Sequence, residues 1–183
     1  MHRDILLQAA IKLIKEQGWS NLSFADIASK AGVTLDKVYE IFPKKIDIIV
    51  TISQLIDKET LQKLEKFSDD DTYRDKLFSL LMTRFDVLQK YKPVISQIWN
   101  EACTNPTLVI SSAPKGINSM IWMLEAAQID VSGVGGTIKA QLFGVFYLTA
   151  VNTWLKDESS DLTETMAHVD RGLEKFEMVP GFY

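Results

Sequence analysis

The chain is poor in the residues on which several classes of protein depend. It has one cysteine, Cys103, in 183 residues, so no disulfide can form within the chain, and a reducing cytoplasm is the expected environment. Cys103 is expected to be a small core residue. His2 and His168 are the only histidines. The five prolines and nine glycines are few, which favours long uninterrupted helices.

Long hydrophobic runs and an excess of positive charge are also missing. The longest apolar candidate, around Leu142 to Val151, is interrupted by Gly144 and Thr149 and falls short of the roughly 18 residues that span a bilayer. Asp4 near the start argues against a signal peptide, so no membrane association is expected. The net charge is -4, so any contact with nucleic acid must come from a local patch.

Catalytic and metal-binding patterns are not recognisable either. His2 lies at an end of the chain that is expected to fray, His168 near Asp170 is expected to be a surface or interface residue, and no histidine lies near Cys103 in sequence. The glycines of 133–136 do not follow a strand, so they predict a flexible loop and not a phosphate cradle. The acidic stretch 68–71 predicts a solvated loop ahead of a helix. We therefore expect no enzyme activity, no metal and no cofactor.

Three short helices are predicted in the first 48 residues. Gly18 suits the C-terminus of the first, and Ser23, with Asp26 three residues later, suits the N-cap of the second. Residues 31–33 predict a tight turn, after which Thr34 is expected to cap a third helix that ends before Pro43. The first helix is predicted from the apolar positions Ile5, Leu6, Ala9, Ala10, Leu13 and Ile14.

The remaining chain also follows helical periodicity, with no useful strand-like alternation and no internal repeat. Helices are predicted near residues 45–66, 73–91, 94–104, 107–127, 137–155 and 162–176, with a loop at 130–136. The predicted fold is therefore all-α, with about nine helices. A helix-turn-helix DNA-binding domain at 1–48 precedes a ligand-binding and dimerisation bundle at 49–183.

The N-terminal motifs resemble those of a known family. Ile5-Leu6-x-x-Ala9-Ala10-x-x-Leu13-Ile14-x-x-x-Gly18, Ser23-Phe24-x-x-Ile27-Ala28-x-x-Ala31-Gly32-Val33-Thr34 and Val38-Tyr39-x-x-Phe42-Pro43-x-Lys45-x-Asp47-Ile48 are similar to the DNA-binding head of TetR-family transcriptional regulators. The resemblance covers about a quarter of the chain. It implies binding to double-stranded operator DNA through Ser23, Thr34, Lys37, Tyr39, Glu40, Lys44 and Lys45.

The family resemblance also implies roles for individual side chains. Tyr39 is similar to a family aromatic residue that reaches a phosphate with its hydroxyl, although packing between helices is the alternative. Lys45 stands where family members hold a phosphate at the N-terminus of the fourth helix. Thr34 and Lys37 are placed to reach DNA, while an ordinary solvated face is the alternative for the lysines.

The sequence also departs from the family pattern on the third helix. Asp36 stands where family members usually have glycine, and Glu40 stands where a basic or aromatic residue is common. These carboxylates would oppose phosphates, but Glu40 would alternatively accept a hydrogen bond from cytosine N4. Residues 1–48 contain seven Lys or Arg against six Asp or Glu, so the head is barely positive.

The second part of the chain is rich in aromatic residues and methionine. These side chains predict an apolar cavity for a small-molecule effector, with core packing as the alternative. The predicted lining is Met82, Phe85, Trp99, Met120, Trp122, Met123, Phe143 and Tyr147. Arg84, Glu101 and Glu125 are the ionisable residues nearest to this set in sequence.

The last two predicted helices resemble the pair through which the family forms dimers. The segment 137–155 is apolar on nearly every side, and such a helix has to be covered on all sides. A homodimer with two-fold symmetry is therefore expected. Its predicted interface is Leu142, Val145, Leu148, Val151, Trp154, Val169 and Leu173.

A second, fainter resemblance gives an alternative function. The stretches 74–93 and 154–161 are similar to ubiquinone-biosynthesis accessory proteins of the same fold. That resemblance implies a protein that no longer binds DNA and instead holds a lipid or a partner.

Overall fold

Helices account for nearly all of the structure. The computed structural model describes residues 2–183, with only the backbone described at 109–113, and in these residues there is no strand. The all-α prediction is confirmed. The described helices are α1 (His2–Gln17), α2 (Phe24–Ala31), α3 (Leu35–Ile41), α4 (Ile46–Lys63), α5 (Tyr73–Gln89), α6 (Lys92–Thr104), α7 (Pro106–Ala126), α8 (Gly133–Lys156) and α9 (Thr163–Glu177).

The chain divides into two compact units. The first comprises Met1–Leu55 and Tyr91–Lys115, and the second comprises Ile56–Lys90 and Gly116–Tyr183. Helices α4 and α7 contribute residues to both. The functional boundary at residue 48 remains a prediction, because compactness alone groups α6 with the N-terminal helices.

In the first unit, α1 packs against α2 and α6, and α2 packs against α3. Apolar side chains at helical spacing form the core between these helices. The residues fully buried there include Leu6, Ala10, Ile14, Ile27, Val38, Phe42 and Ile48. This packing fixes the position of α3, which is too short to be stable alone.

Local signals determine where these short helices end. Gly18 and Gly32 follow α1 and α2 with φ of +83° and +66°, a conformation that favours glycine. Ser23 and Asp26 form a reciprocal capping box at the start of α2, as predicted. The turn between α2 and α3 is therefore tight, as a helix-turn-helix requires.

In the second unit, α9 packs against α5 and α8. Large apolar side chains from these helices and from α7 fill the interior. The fully buried residues include Leu77, Leu80, Phe85, Met123, Phe143, Trp154, Val169 and Leu173. Cys103, which was expected in a core, is instead exposed on α6 of the first unit.

Helix α8 is longer than the sequence predicts. It begins at Gly133 after Ser132, whereas the prediction made 130–136 a loop because glycine is a poor helix former. At Gly136 glycine is required by space, since a Cβ there would lie 1.8 Å from the carbonyl oxygen of Val131.

By length and composition α8 is able to cross a membrane, and 28% of its most apolar stretch is buried. The apolar segment is thus longer than the interrupted run seen in the sequence. One such helix is weak evidence of a membrane span, because a core helix of a soluble protein passes the same test.

Candidate functional site

Helix α3 is fixed by its inner face and presents its outer face to solvent. Val38 and the C-cap residue Phe42 are fully buried, whereas Tyr39 is 54% exposed. The ring of Tyr39 meets the ring of Phe24 edge-on, with centroids 4.9 Å apart. The predicted DNA-contacting tyrosine is therefore exposed and also braced by α2.

Two predicted contact residues on α3 bind each other. Lys37 Nζ donates a hydrogen bond of 2.6 Å to Glu40 Oε2, and Glu40 is mainly exposed. This hydrogen bond and the negative charge of Glu40 raise the pKa of Lys37. The lysine charge is thus balanced locally, and the exposed Asp36 leaves the helix with a net negative charge.

The hydroxyl groups of Ser23 and Thr34, both predicted to contact DNA, differ in the hydrogen bonds that they make within the protein. Ser23 Oγ accepts from the backbone N–H of Asp26 at 3.1 Å and donates to the Asp26 carboxylate at 2.6 Å. Thr34 occupies the N-cap position of α3, but its side chain makes no capping hydrogen bond. The expected side-chain cap at Thr34 is therefore not formed, which leaves its exposed hydroxyl available to a phosphate.

Lys45 is held against the loop between α1 and α2. Its Nζ donates to the carbonyl oxygen of Ser20 at 3.2 Å and lies 4.8 Å from the centroid of the Trp19 ring. Burial lowers the pKa of Lys45, while the nearby charge of Glu101 works in the opposite direction. Lys45 therefore already has partners within the protein at this position.

A polar cleft of about 260 Å³ lies beside Lys45 and was not predicted from the sequence. Its lining comes from residues 17–21 and from Gln97, Asn100 and Glu101 of α6. The Ser20 hydroxyl donates to the Glu101 carboxylate, and this bond, together with one from Asn105, lowers the pKa of Glu101. Ser20 and Glu101 are 81 positions apart, so no local signal in the sequence joins them.

The start of α4 is organised around Asp47. Its carboxylate accepts from the backbone N–H of Lys44 at 2.8 Å and from Nζ of Lys115. The hydrogen bond from Lys115 is the main reason that the pKa of Asp47 is lowered. The exposed Lys44 is thus attached to a fixed helix start, although Asp47 already occupies part of that N-terminus.

The predicted effector-pocket residues do not all belong to one compact unit. Trp99 lies in the first unit and the other seven lie in the second. Phe85, Met120, Met123 and Phe143 are buried, whereas Met82, Trp122 and Tyr147 are partly exposed. Core packing is sufficient to explain the four buried side chains. That the eight residues line an effector pocket remains a prediction.

The predicted dimer residues separate into two groups. Leu142, Val145 and Leu148 are exposed on α8, where they continue a line begun by Val134 and Ile138. We call these five residues the α8 stripe. The other predicted interface residues, Val151, Trp154, Val169 and Leu173, are buried in the core of the single chain. Their burial corrects the prediction, since a side chain that is already enclosed offers no surface to a partner.

Metal chemistry has no support in the described part of the chain. Among residues 2–183, no group of three or more His, Cys, Asp or Glu side chains lies close enough to hold a metal ion.

Comparison with known proteins identifies the N-terminal region. Residues 6–52 match the family of bacterial regulatory proteins described as the tetR family. Over 91 residues the chain is 30% identical to the uncharacterized HTH-type transcriptional regulator YvdT of Bacillus subtilis (strain 168), covering 49% of this chain and 47% of that protein. The chain therefore matches about half the length of this curated relative.

Solved structures extend the likeness in fold to nearly the whole chain. A TetR transcriptional regulator from Nitrosomonas europaea ATCC 19718 has a TM-score of 0.73 at 22% identity, covering 96% of this chain and 97% of its own. One from Rhodococcus sp. RHA1 has a TM-score of 0.71 at 19% identity, with coverages of 95% and 94%. GusR of Salmonella enterica has a TM-score of 0.61 at 19% identity, with coverages of 95% and 94%. At these identities the likeness establishes the fold.

Proposed function

We propose that this chain, whose residues 6–52 match the tetR family of bacterial regulatory proteins, is a regulator of that family that binds operator DNA as a dimer and represses transcription until a small effector releases it. The observation that carries this proposal is the exposed face of α3 within the matched region. Tyr39 is exposed on the helix and Thr34 is exposed at its N-cap, while the buried Val38 and Phe42 anchor the helix in the core.

The proposed DNA interface combines exposed side chains with two lysines that already bind other groups of the protein. Thr34, Tyr39 and Lys44 are exposed and placed to contact the DNA backbone. Lys37 and Lys45 already have protein partners, which phosphates would replace. Because these exchanges offset part of the phosphate attraction, we expect modest affinity with a clear dependence on salt.

The α8 stripe supports dimerisation. Its five apolar side chains recur every three or four residues along one exposed helix face, which a second copy would cover through a two-fold axis. Two recognition helices arranged in this way would have to lie about 34–36 Å apart to enter successive major grooves. The exposed Met166 of α9 extends the apolar surface available to the partner.

Release by an effector requires coupling between the two parts of the chain. Helix α4 contributes residues to both compact units, so we propose that effector binding in the second unit shifts α4 and changes the separation of the recognition helices. A coupling of about 1–3 kcal/mol would change DNA affinity roughly 5–150-fold.

The test uses the purified full chain and the DNA upstream of its own gene. Fluorescence anisotropy at several salt concentrations should show binding that weakens steeply as salt rises. T34A and Y39F should each weaken binding, whereas the control K12A, at an exposed residue of α1 outside the proposed interface, should have little effect. Equal affinity for operator and scrambled DNA would contradict the operator-binding role.

One observation favours a second function. Asp36 and the Lys37–Glu40 pair leave α3 without net positive charge, which suits a protein that no longer binds DNA and instead holds a lipid or a partner in the cytoplasm. Absence of DNA binding even at low salt would favour this alternative over a regulator.

A further inference from the structure

A buried charged cluster lies inside the second unit, whereas the residues of the proposed DNA interface belong to the first. Arg84 of α5 is 2% exposed, and its Nη1 donates to Asp57 of α4 at 2.5 Å. The other carboxylate oxygen of Asp57 accepts from the Ser119 hydroxyl of α7 at 2.7 Å. Arg84 Nε donates to the Tyr147 hydroxyl of α8 at 2.7 Å. Four helices therefore meet at one buried guanidinium.

Two donors in this cluster have no acceptor within the described part of the chain. Trp122 Nε1 is buried and makes no hydrogen bond. The Trp122 ring lies beside Arg84, with 5.8 Å between its centroid and the guanidinium carbon. Arg84 uses Nε and Nη1 in its described bonds, which leaves Nη2 without an acceptor among these residues. Of the two, Trp122 Nε1 is the donor that is buried without an acceptor, which is costly, so the cluster is suited to receive one.

The character of the missing acceptor follows from its surroundings. A guanidinium fork matches the two oxygens of a carboxylate, and Arg84, whose charge is paired with Asp57 in the structure, can exchange that partner for another single carboxylate. The rings of Phe85 and Tyr147, with centroids 6.1 Å apart, provide an apolar neighbourhood. Trp122 and Tyr147 lie beside the buried Arg84 and are themselves partly exposed, so the cluster reaches the surface through these two rings.

We propose that Arg84 and Trp122 bind the carboxylate of an amphipathic organic acid, whose apolar part packs among the neighbouring aromatic rings. The proposal rests on the function proposed above and names the chemical class of the effector. It refines the sequence-based expectation of an apolar ligand by adding one anionic group.

The same geometry explains how such an acid would act. Its carboxylate competes with Asp57 for Arg84, and Asp57 retains the hydrogen bond from Ser119 when the exchange occurs. Asp57 belongs to α4, the helix that also contributes Ile46–Leu55 to the first unit. Exchange at Arg84 therefore loosens a buried attachment of α4, which is the helix expected to transmit the signal.

Calorimetry with the full chain tests the proposal, using octanoate, octanol and octyl phosphate as probes. Octanoate should bind about tenfold more tightly than octanol, because only the carboxylate gains charge-assisted hydrogen bonds. W122F, which removes one donor without changing charge, should weaken the binding of octanoate more than that of octanol, because the charged carboxylate is the stronger acceptor. The paired neutral variant R84Q/D57N should abolish the preference for octanoate.

K90Q is the matched control, because it removes the exposed pair between Lys90 and Glu59 of α4 and leaves Arg84 in place. It should bind octanoate like the unmodified chain. Equal binding of octanoate and octanol, binding of neither, preference for octyl phosphate, or an unchanged preference in both W122F and R84Q/D57N would overturn the proposal.

A DNA-binding assay distinguishes a failure of the effector assignment from a failure of the proposed function. If the chain binds its operator but not octanoate, only the assignment of the effector fails. If it binds octanoate through Arg84 but never binds DNA, the carboxylate site stands as a binding site and the regulatory function fails.

Discussion

The side chain of Lys45 has two competing partners in the proposed function. In the structure the ammonium group of Lys45 lies over the ring of Trp19 and donates a hydrogen bond to the carbonyl oxygen of Ser20. The family resemblance implies that the same group binds a DNA phosphate. Both partners suit a cation, and the phosphate carries the full negative charge. Binding of a phosphate by Lys45 would therefore compete with the hydrogen bond to Ser20.

Replacing Lys45 with alanine should weaken DNA binding on all sequences alike. A phosphate contact carries no base information, so the loss should be uniform and the salt slope should fall by about 1. Anisotropy titrations on operator and scrambled DNA over a salt series measure both quantities. The control is K12A on α1, and an unchanged affinity for K45A would remove Lys45 from the interface.

Asp157 is a buried acid whose hydrogen bonds fix the start of α9. Its carboxylate accepts from the Thr165 backbone N–H at 2.8 Å and from the Thr165 hydroxyl at 2.7 Å, and it also accepts from Ser159. Burial raises the pKa of Asp157, but the hydrogen bonds from Ser159 and Thr165 outweigh it and lower the pKa to about 2. The ionised form is therefore the one that stabilises the fold.

D157N should lower the free energy of unfolding by about 2 kcal/mol at pH 7. Because the folded pKa is depressed, the stabilisation is complete above the ordinary pKa near 4 and is lost as pH falls towards 2. Denaturant unfolding between pH 7 and 3 should show the difference between the two proteins narrowing in acid. D161N, at an exposed acid nearby, is the control, and a difference independent of pH would contradict this role.

The tight turn between α2 and α3 depends on the backbone conformation of one residue. Gly32 has φ of +66°, and a Cβ built there would meet nothing within 4 Å. The requirement for glycine is thus conformational and not steric. Since α3 begins three residues later, this turn sets the direction in which α3 leaves α2.

G32A should destabilise the protein by about 1–2 kcal/mol, the cost of a left-handed conformation for alanine. Gly116 provides a matched control, because it is exposed within α7 and a Cβ there also meets nothing. G116A should instead stabilise by roughly 0.5–1 kcal/mol, because alanine favours helix. Denaturant unfolding measures both, and equal effects of the same sign would contradict the explanation.

The α8 stripe is the surface through which the molecule is expected to associate with a second copy of itself. Val134 is 78% and Val145 66% exposed, although both are apolar and lie on the longest helix. A continuous exposed apolar face of this kind favours association. The buried residues Trp154 and Val169 contribute to the same assembly only by supporting α8 and α9 from within.

V145E should convert the proposed dimer into a monomer, because it places a charge in the centre of the proposed interface. Sedimentation velocity measures the change in mass, and operator binding should weaken with it because paired heads are lost. The control is L61E, at a 50% exposed leucine of α4. A V145E protein of unchanged dimeric mass would contradict the proposed interface.

Many features of the head were predictable because their signals are local. The capping box of Ser23 and Asp26, the glycines at 18 and 32, and the apolar spacing of α1 act within a few residues of each other. The all-α architecture follows from the same kind of pattern, which repeats through the chain. The sequence alone therefore determined the class of fold and the position of the helix-turn-helix.

Tertiary structure decided which side chains are buried and which distant charges meet. Arg84 and Asp57 are 27 residues apart, and Ser20 and Glu101 are 81 apart, so only helix packing brings each pair together. In the same way, the sequence alone does not decide whether an apolar residue on α8 lies in the core or on the surface, because it does not show which helices pack against α8. Trp154 proved to be core and Val145 surface, because burial depends on which helices pack against each face.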